Sequence, residues 1–401
     1  MCPSPLGSRL PLAIVHQSYG RFGGAERVAL AHYEQLRKMN VDATLFWSGL
    51  VTTRWQDRLN GYDIKSIPST LPGPIGIGRM IRFLKELSRY DSIIIHHHVD
   101  PLLALYISRT LGKRTVWYSG SMFELAWERW ITGEDYRSIS RTVKQTSEEY
   151  YGRTFSNLAL SDLLFNQTVR FSRAIDIHVA RRYSKVIANS KFLSRFLKRI
   201  YKMDDEPAVV YPGPDPILEE LSSKDFAGES DYMLAVGPLI PLKNVDGMIQ
   251  AASKVPSARL VVVGDGQERI PLEEQAEFLG VPLNIKGNSH SEEELAQLYS
   301  QCRLLVHLSL YEPFGLTPVE AGLFGKPSIV TNHGGPPEIV VDGETGFIVA
   351  PRDYSSIARR MKELLSNPEL RHEMGRKARK RVLENFTLER SAKRLLAEVQ
   401  G

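Results

Sequence analysis

Two glutamates separated by seven residues, Glu312 and Glu320, bound the segment "EPFGLTPVE". A carboxylate is a natural partner for the vicinal hydroxyls of a sugar or ribose, because its two oxygens accept two hydrogen bonds at once. "VGPLIPLKNVD" (236–246), which follows an apolar run, places Lys243 near that run's carboxyl edge, where a lone lysine is usually solvated. Glycine-rich turns complete the set: "SYGRFGGAE" (18–26) carries Gly20, Gly23 and Gly24, and "TNHGGPPE" (331–338) carries Gly334 and Gly335. Such turns let backbone approach a ligand, and a helix N-terminus after them offers N–H groups to an anion. The glutamate segment also fits a plain helix start. Thr317 as N-cap, Pro318 as first helical residue and Glu320 as third make a capping box, with Gly325 and Pro327 ending a helix of about two turns.

Each of these segments follows a short apolar run, which is what positions it. In the first half "LPLAIVHQ", "DATLFWSG", "DSIIIHHHV", "KRTVWYSG", "YSKVIANS" and "PAVVYPGPD" read as strands, with helical patterns such as "GGAERVALAHYEQLRKM" between several of them. The second half alternates "DYMLAVGPL", "ARLVVVGDG", "PLNIKGN", "RLLVHLS", "PSIVTN" and the edge-like "TGFIVAP" with helices, one of them opening on Ser291. Near-continuous apolar strands alternating with helices predict an α/β chain of two Rossmann-like, doubly wound parallel-sheet domains. Ligands of such sheets sit at the carboxyl ends of the strands, so one cleft between two facing domains is expected. The run Pro-Gly-Pro-Asp-Pro at 212–216 suits neither helix nor central strand. It places the domains at 1–215 and 216–384, with a closing helix at 385–401.

The chain is too long, at 401 residues, for one ordinary core, and 42% hydrophobic with 24% charged residues is the balance of a globular protein. Two cysteines, Cys2 and Cys302, make neither a disulfide framework nor a metal-ligand spacing, so a reducing, cytoplasmic setting is expected. The N-terminal apolar run is short and suits a buried strand better than a signal peptide. Residues 141–202 hold thirteen Lys or Arg against four acids, and 181–202 mixes bases with Phe192, Leu193, Phe196, Leu197 and Ile200. That is either a solvated helix face or a surface drawn to an anionic membrane or a phosphorylated acceptor. No recognition motif for nucleic acid accompanies the charge.

Taken together, "GGAE" (23–26), "ANS" (188–190), "VVYPGPD" (209–215), "LVVVGDG" (260–266), "EPFGLTPVE" (312–320) and "GGPPEIVVDGETGFIV" (334–349) make the whole chain resemble a retaining, metal-independent GT4-type glycosyltransferase with the two-domain GT-B fold. The closing "NFTLERSAKRLLAEV" (385–399) resembles the final helix that returns to the first domain in that family. The resemblance implies that Glu320 holds the ribose of a nucleotide sugar and that Glu312 lies near the transferred sugar. It implies that the amides of Phe314 and Gly315 contact the sugar's hydroxyls. Leu316 and Thr317 would offer amides to the diphosphate, with Gly23 or Gly24 approaching from the first domain. Lys243 matches the family lysine that neutralises the leaving phosphate, and no metal or other cofactor is implied.

Two positions depart from the family pattern. Pro238 stands where an arginine usually follows the glycine after the first strand of the second domain. Ser119-Gly120 stands where relatives often carry a histidine. His96 and His98, on one face of "IIIHHHV" with His97 opposite, are candidates to replace it, and His98 is the one assigned a catalytic role. The implied reaction transfers a hexose from a nucleoside-diphosphate sugar to a hydroxyl of a glycan or lipid-linked acceptor with retained configuration. The "VWYSG" context and the basic stretch resemble mannosyltransferases of lipid-linked glycan assembly, which implies GDP-mannose as donor, with a UDP-sugar as the alternative. Such an enzyme is expected in the cytoplasm or at the cytoplasmic face of a membrane. A non-catalytic nucleotide-sugar-binding relative is the other reading. A dehydrogenase is not supported, because the dinucleotide fingerprint and its acidic residue are missing.

Overall fold

In the computed structural model the chain divides into two compact units, each built on one parallel sheet. The structure describes residues 11–17, 23–48, 62, 64–68, 74–97, 99, 101–111, 114–120, 174–224, 226, 228–288 and 291–401. The first unit takes the described residues up to 120, then 174–212 and 388–401, and the second takes 213–387. The division falls inside the Pro-Gly-Pro-Asp-Pro run, three residues earlier than the sequence places it.

The first sheet consists of β1 (Leu12–Gln17), β2 (Ala43–Ser48), β3 (Ile64–Ser66), β4 (Ser92–His96), β5 (Thr115–Ser119), β6 (Lys185–Ala188) and β7 (Ala208–Val209). Their spatial order is β3-β2-β1-β4-β5-β6-β7, and each neighbouring pair is parallel. Leu12 to Val15 and Ile93 to Ile95 are buried without alternation, as strands covered on both faces must be. Among the described helices of this unit are α1 (Gly24–Lys38), α2 (Pro74–Leu87), α3 (Pro101–Leu111) and α4 (Lys191–Tyr201). Helix α4 starts at Ser190, whose hydroxyl accepts from the Leu193 amide at 2.9 Å. It buries Leu193, Phe196, Leu197, Ile200 and Tyr201 in the unit while Lys191, Arg195 and Arg199 stay exposed. Of the apolar residues among those bases, Leu193, Phe196, Leu197 and Ile200 therefore belong to the core, and Phe192 is half-buried.

The second sheet holds β8 (Met233–Val236), β9 (Leu260–Val263), β10 (Leu283–Ile285), β11 (Leu304–His307), β12 (Ser328–Thr331) and β13 (Gly346–Val349), ordered β10-β9-β8-β11-β12-β13. Its helices are α5 (Pro216–Leu221), α6 (Val245–Ala252), α7 (Arg269–Phe278), α8 (Glu292–Gln301), α9 (Leu316–Leu323), α10 (Pro336–Ile339), α11 (Tyr354–Ser366) and α12 (Pro368–Asn385). Alternate strand residues feed two separate cores. Met233, Ala235, Val262, Leu304 and Val306 pack on one face, and Leu234, Val261, Val263 and Leu305 on the other. Each fully buried Leu or Val there stabilises the fold by about 1.5–3 kcal/mol. In both sheets strand order reverses once, between β1 and β4 and between β8 and β11, and at such a point loops diverge and leave a crevice.

The chain ends in α13 (Leu388–Gln400), which packs on α1 in the first unit. Buried histidines mark the contact. His32 of α1 bonds Ser391 through Nε2 at 2.7 Å and His96 through Nδ1 at 2.8 Å, and His16 Nδ1 lies 3.2 Å from the His96 carbonyl. His96 is thus a core residue bonded under the sheet, which removes it from the candidates for an exposed strand-end histidine. Burial lowers the His32 pKa from 6.5 to about 3. It also puts His96 well below its ordinary value, with the neighbouring His97, His32 and His16 adding to the effect. No helix of the described residues is long and apolar enough to cross a membrane.

A histidine whose folded pKa is depressed gives stability that is complete above its unfolded value and lost as pH falls below it. His32 alone should therefore cost the first unit about 2 kcal/mol between about pH 7 and pH 5. Urea unfolding followed by the fluorescence of Trp47 and Trp117, both buried in this unit, reads the effect directly. Equal midpoints at the two pH values would show that these imidazoles are not held neutral.

Candidate functional site in the second unit

Lys243 and Glu312 leave the sheet on the two sides of its reversal, one after β8 and the other after β11. Lys243 ends a short 3-10 turn, Pro241–Lys243, and Asn244 follows in the left-handed region at φ 54°. The buried Asn244 amide donates to the carbonyls of Leu308 and Pro351, both at 3.0 Å. Ser309 Oγ lies 3.1 Å from the Leu242 carbonyl and 2.9 Å from that of Tyr311, with one proton to share between them, and the Leu310 amide donates to Leu242 O at 2.9 Å. These bonds staple the two loops together. The result is an ion pair of 2.6 Å between Lys243 Nζ and Glu312 Oε2, each side chain 17% exposed.

Glycines set the loop that follows. Gly315 is the N-cap of α9 at φ 102°, a conformation that side chains disfavour. Gly334 and Gly335 lie against the backbone of Glu312 to Phe314: a carbon added at 334 would come within 2.2 Å of the Glu312 carbonyl, and one at 335 within 2.5 Å of Phe314 Cα. The Gly335 amide donates to Glu312 O at 2.9 Å.

The capping box read from the sequence is not formed. Helix α9 begins at Leu316, so Thr317 is its second residue and Glu320 its fifth. Thr317 Oγ1 turns to His307 Nδ1 at 3.0 Å, and Glu320 Oε2 accepts from the Tyr299 hydroxyl at 2.6 Å in a site where Glu320 is 1% exposed. The first turn of α9 remains a helix N-terminus with its partial positive charge beside the Lys243–Glu312 pair. Burial opposes ionisation of Glu312, but the Lys243 ammonium and then His307 outweigh it and lower its pKa to about 2. His307 Nε2 lies 3.6 Å from Glu312 Oε2. Neither His307 nor Tyr299 was singled out in the sequence. The one signal for His307 was a polar side chain at the last position of an apolar strand.

In the first unit, Gly23 caps α1 and its amide donates to Glu26 Oε2 at 2.8 Å, the returning half of a capping box. Burial opposes ionisation of Glu26, yet His16 and the Gly23 amide hold its pKa down at about 2. An anion approaching this helix start meets a carboxylate already bonded there. Gly24 is the first helical residue. Gly20 and His98 lie outside the described residues. His97 leaves the strand alternation at φ 62°, and its ring occupies the space over Gly120, 2.5 Å from where a Cβ would stand. A side chain at 120 would require that ring to move. Among the described residues no group of three or more His, Cys, Asp or Glu is placed to hold a metal ion.

Two family models cover most of the chain: one described as Glycosyltransferase Family 4 matches residues 22–217, and one described as Glycosyl transferases group 1 matches 218–381. The chain belongs to the family 4 glycosyltransferases. The chain is 28% identical over 246 residues to the N-acetyl-alpha-D-glucosaminyl L-malate synthase of Bacillus anthracis, a match covering 57% of this chain and 61% of that relative. The match thus spans about three-fifths of the relative's length. Its fold is similar to that of Anabaena Alr3699/HepE, solved in complex with UDP, at a TM-score of 0.70 and 18% identity over 97% of this chain and 99% of that one. WaaG, a glycosyltransferase involved in lipopolysaccharide biosynthesis, is similar at a TM-score of 0.64 and 18% identity over 97% and 100% of the two chains. The chain has the two-sheet GT-B fold that these proteins share.

The packing of Gly335 makes the loop's dependence on it measurable. Gly335→Ala should lower unfolding stability by about 1–3 kcal/mol, because backbone at Pro313 and Phe314 has to move. Gly78→Ala, on α2 with nothing within 4 Å of the added carbon, should instead raise helix stability by up to about 1 kcal/mol. Urea titrations of both variants compare them, and equal effects would mean that the glycine pair does not brace the loop.

Proposed function

We propose that the transferase moves a hexose from a nucleoside-diphosphate sugar to a hydroxyl of a glycan or lipid-linked acceptor, with retention and without a metal ion. The observation that supports this best is the Lys243–Glu312 pair beside the start of α9, at the reversal point of the second sheet. A cation and a helix N-terminus suit a diphosphate, and a neighbouring carboxylate suits a sugar hydroxyl. An ammonium has three donors, so bonding Glu312 leaves Lys243 able to bond phosphate as well.

In this reading Lys243 and the amides of Leu316 and Thr317 stabilise the charge that collects on the leaving phosphate as the sugar–phosphate bond breaks. Glu312 and the amides of Phe314 and Gly315 hold the oxocarbenium-like sugar. Glu320, its carboxylate fixed by Tyr299, is assigned to the ribose, and Gly23 and Gly24 to the diphosphate. The acceptor oxygen bonds C1 on the face the phosphate leaves, and a departing phosphate oxygen takes the acceptor's proton. Pro238 supplies no second cation, so more of the charge falls to Lys243.

For the donor, GDP-mannose follows from the resemblance of the first half to mannosyltransferases. A UDP-hexose is favoured by the Anabaena protein, which was solved with UDP and with UDP-glucose. The exposed bases Arg181, Arg182, Lys191, Arg195, Arg199 and Lys202 are offered as the part of 181–202 that meets an anionic membrane or phosphorylated acceptor at the cytoplasmic face.

Donor hydrolysis in EDTA across a panel of GDP- and UDP-sugars tests the proposal. Turnover of one donor is expected, with Lys243→Ala lowering it about ten- to hundredfold for the lost charge-assisted contact, and Glu312→Gln lowering it as well. Tight nucleotide binding with no turnover even when acceptor glycans are added would favour a non-catalytic subunit instead.

A further inference from the structure

His307 sits between the two groups that this reading assigns to the donor. It is the last residue of β11 and is buried. Its two ring nitrogens have different partners: Nδ1 is 3.0 Å from Thr317 Oγ1, and Nε2 is 3.6 Å from Glu312 Oε2. Glu312 lies in the loop and Thr317 in the first turn of α9, so a single imidazole spans the segment that carries Phe314, Gly315 and Leu316.

Charge favours one tautomer. An ionised carboxylate only accepts, so a proton on the nitrogen turned to Glu312 is the favourable arrangement. Nδ1 then accepts from the Thr317 hydroxyl. At 3.6 Å the Nε2 contact is longer than a hydrogen bond and acts through charge and orientation. The charged groups facing His307 are Glu312 and, through it, Lys243.

The geometry points to His307 as a positioning residue of the transferase. Through its two nitrogens it keeps the Glu312 carboxylate in register with the first turn of α9, so that sugar-binding and phosphate-binding groups meet one donor at fixed spacing. Lys243 is shared, because a diphosphate draws on the same ammonium that holds Glu312. His307 keeps a charge contact with the carboxylate while Lys243 also bonds phosphate. A small displacement of either group at such a site costs turnover more than it costs folding. The inference deepens the proposed function and rests on its assignment of Glu312 to the donor.

Two isosteric variants separate the nitrogens. His307→Asn places a polar atom near Nδ1 and keeps Thr317, whereas His307→Gln reaches the place of Nε2 and keeps a donor toward Glu312. With UDP-glucose and GDP-mannose as probes, His307→Asn and His307→Ala should lower kcat by about ten- to hundredfold. His307→Gln should stay within about threefold of wild type, with melting temperatures of the Asn and Gln variants alike. If Gln is no better than Asn, or kcat simply tracks melting temperature through all three, the positioning role is overturned.

A tautomer measurement needs no turnover. Nitrogen shifts of the His307 ring, assigned by their loss in His307→Gln, should show Nε2–H with Nδ1 accepting at about pH 8. The opposite tautomer overturns the inference even where the kinetics agree. Lys243→Ala and Glu312→Gln run alongside locate any failure. Unchanged turnover in both removes the donor-site reading and this inference with it, while their loss beside an unaffected His307→Ala removes this inference alone.

Discussion

The contact on which the second unit's site depends is the 2.6 Å ion pair between Lys243 and Glu312, 69 residues apart in sequence. Two charges drawn partly out of water cost several kcal/mol unless their geometry is held well. Much of the surrounding structure serves that geometry. Asn244 ties the lysine turn to the end of β11, Ser309 ties the β11 loop back to Leu242, and Gly335 braces the Glu312 carbonyl. Group transfer from a phosphate asks for fixed dipoles and charges that do not reorganise during reaction, and a stapled pair meets that demand.

The first unit uses histidine differently. His16, His32 and His96 are buried polar links between two strands, a helix and the C-terminal helix, joined to Ser391 at the far end. Neutral imidazole suits His32 and His96, since it offers one donor and one acceptor on opposite edges of a flat, packable ring. The cost is sensitivity to acid. His97, the next residue, fills the space over Gly120.

Some of the site was legible because it follows from local rules. Lys243 and Glu312 were found as charged residues in loops after apolar strands, and helix α8 opens on Ser291, whose hydroxyl accepts from the Glu294 amide at 3.1 Å. The capping box at Thr317 failed for a reason no local rule contains. Thr-Pro-x-Glu fits a helix start equally well two residues later, and contact of Gly334 and Gly335 with the preceding loop selects the earlier start at Gly315. His96 was misjudged because alternation assigns a face, whereas a central parallel strand has both faces covered. His307 was hidden because a histidine in an apolar strand looks like core until its neighbours are known.

The sequence by itself determined the two doubly wound parallel sheets and the family to which the chain belongs. Hydrophobic period, turn residues and motif order are properties of short stretches, so they survive without coordinates. Only the tertiary structure decided which loops meet. Strand order in space is not strand order in sequence: β8 lies beside β11, and β1 beside β4, because long-range packing chooses the partners. Lys243, Glu312, His307 and Thr317 become one site through that choice.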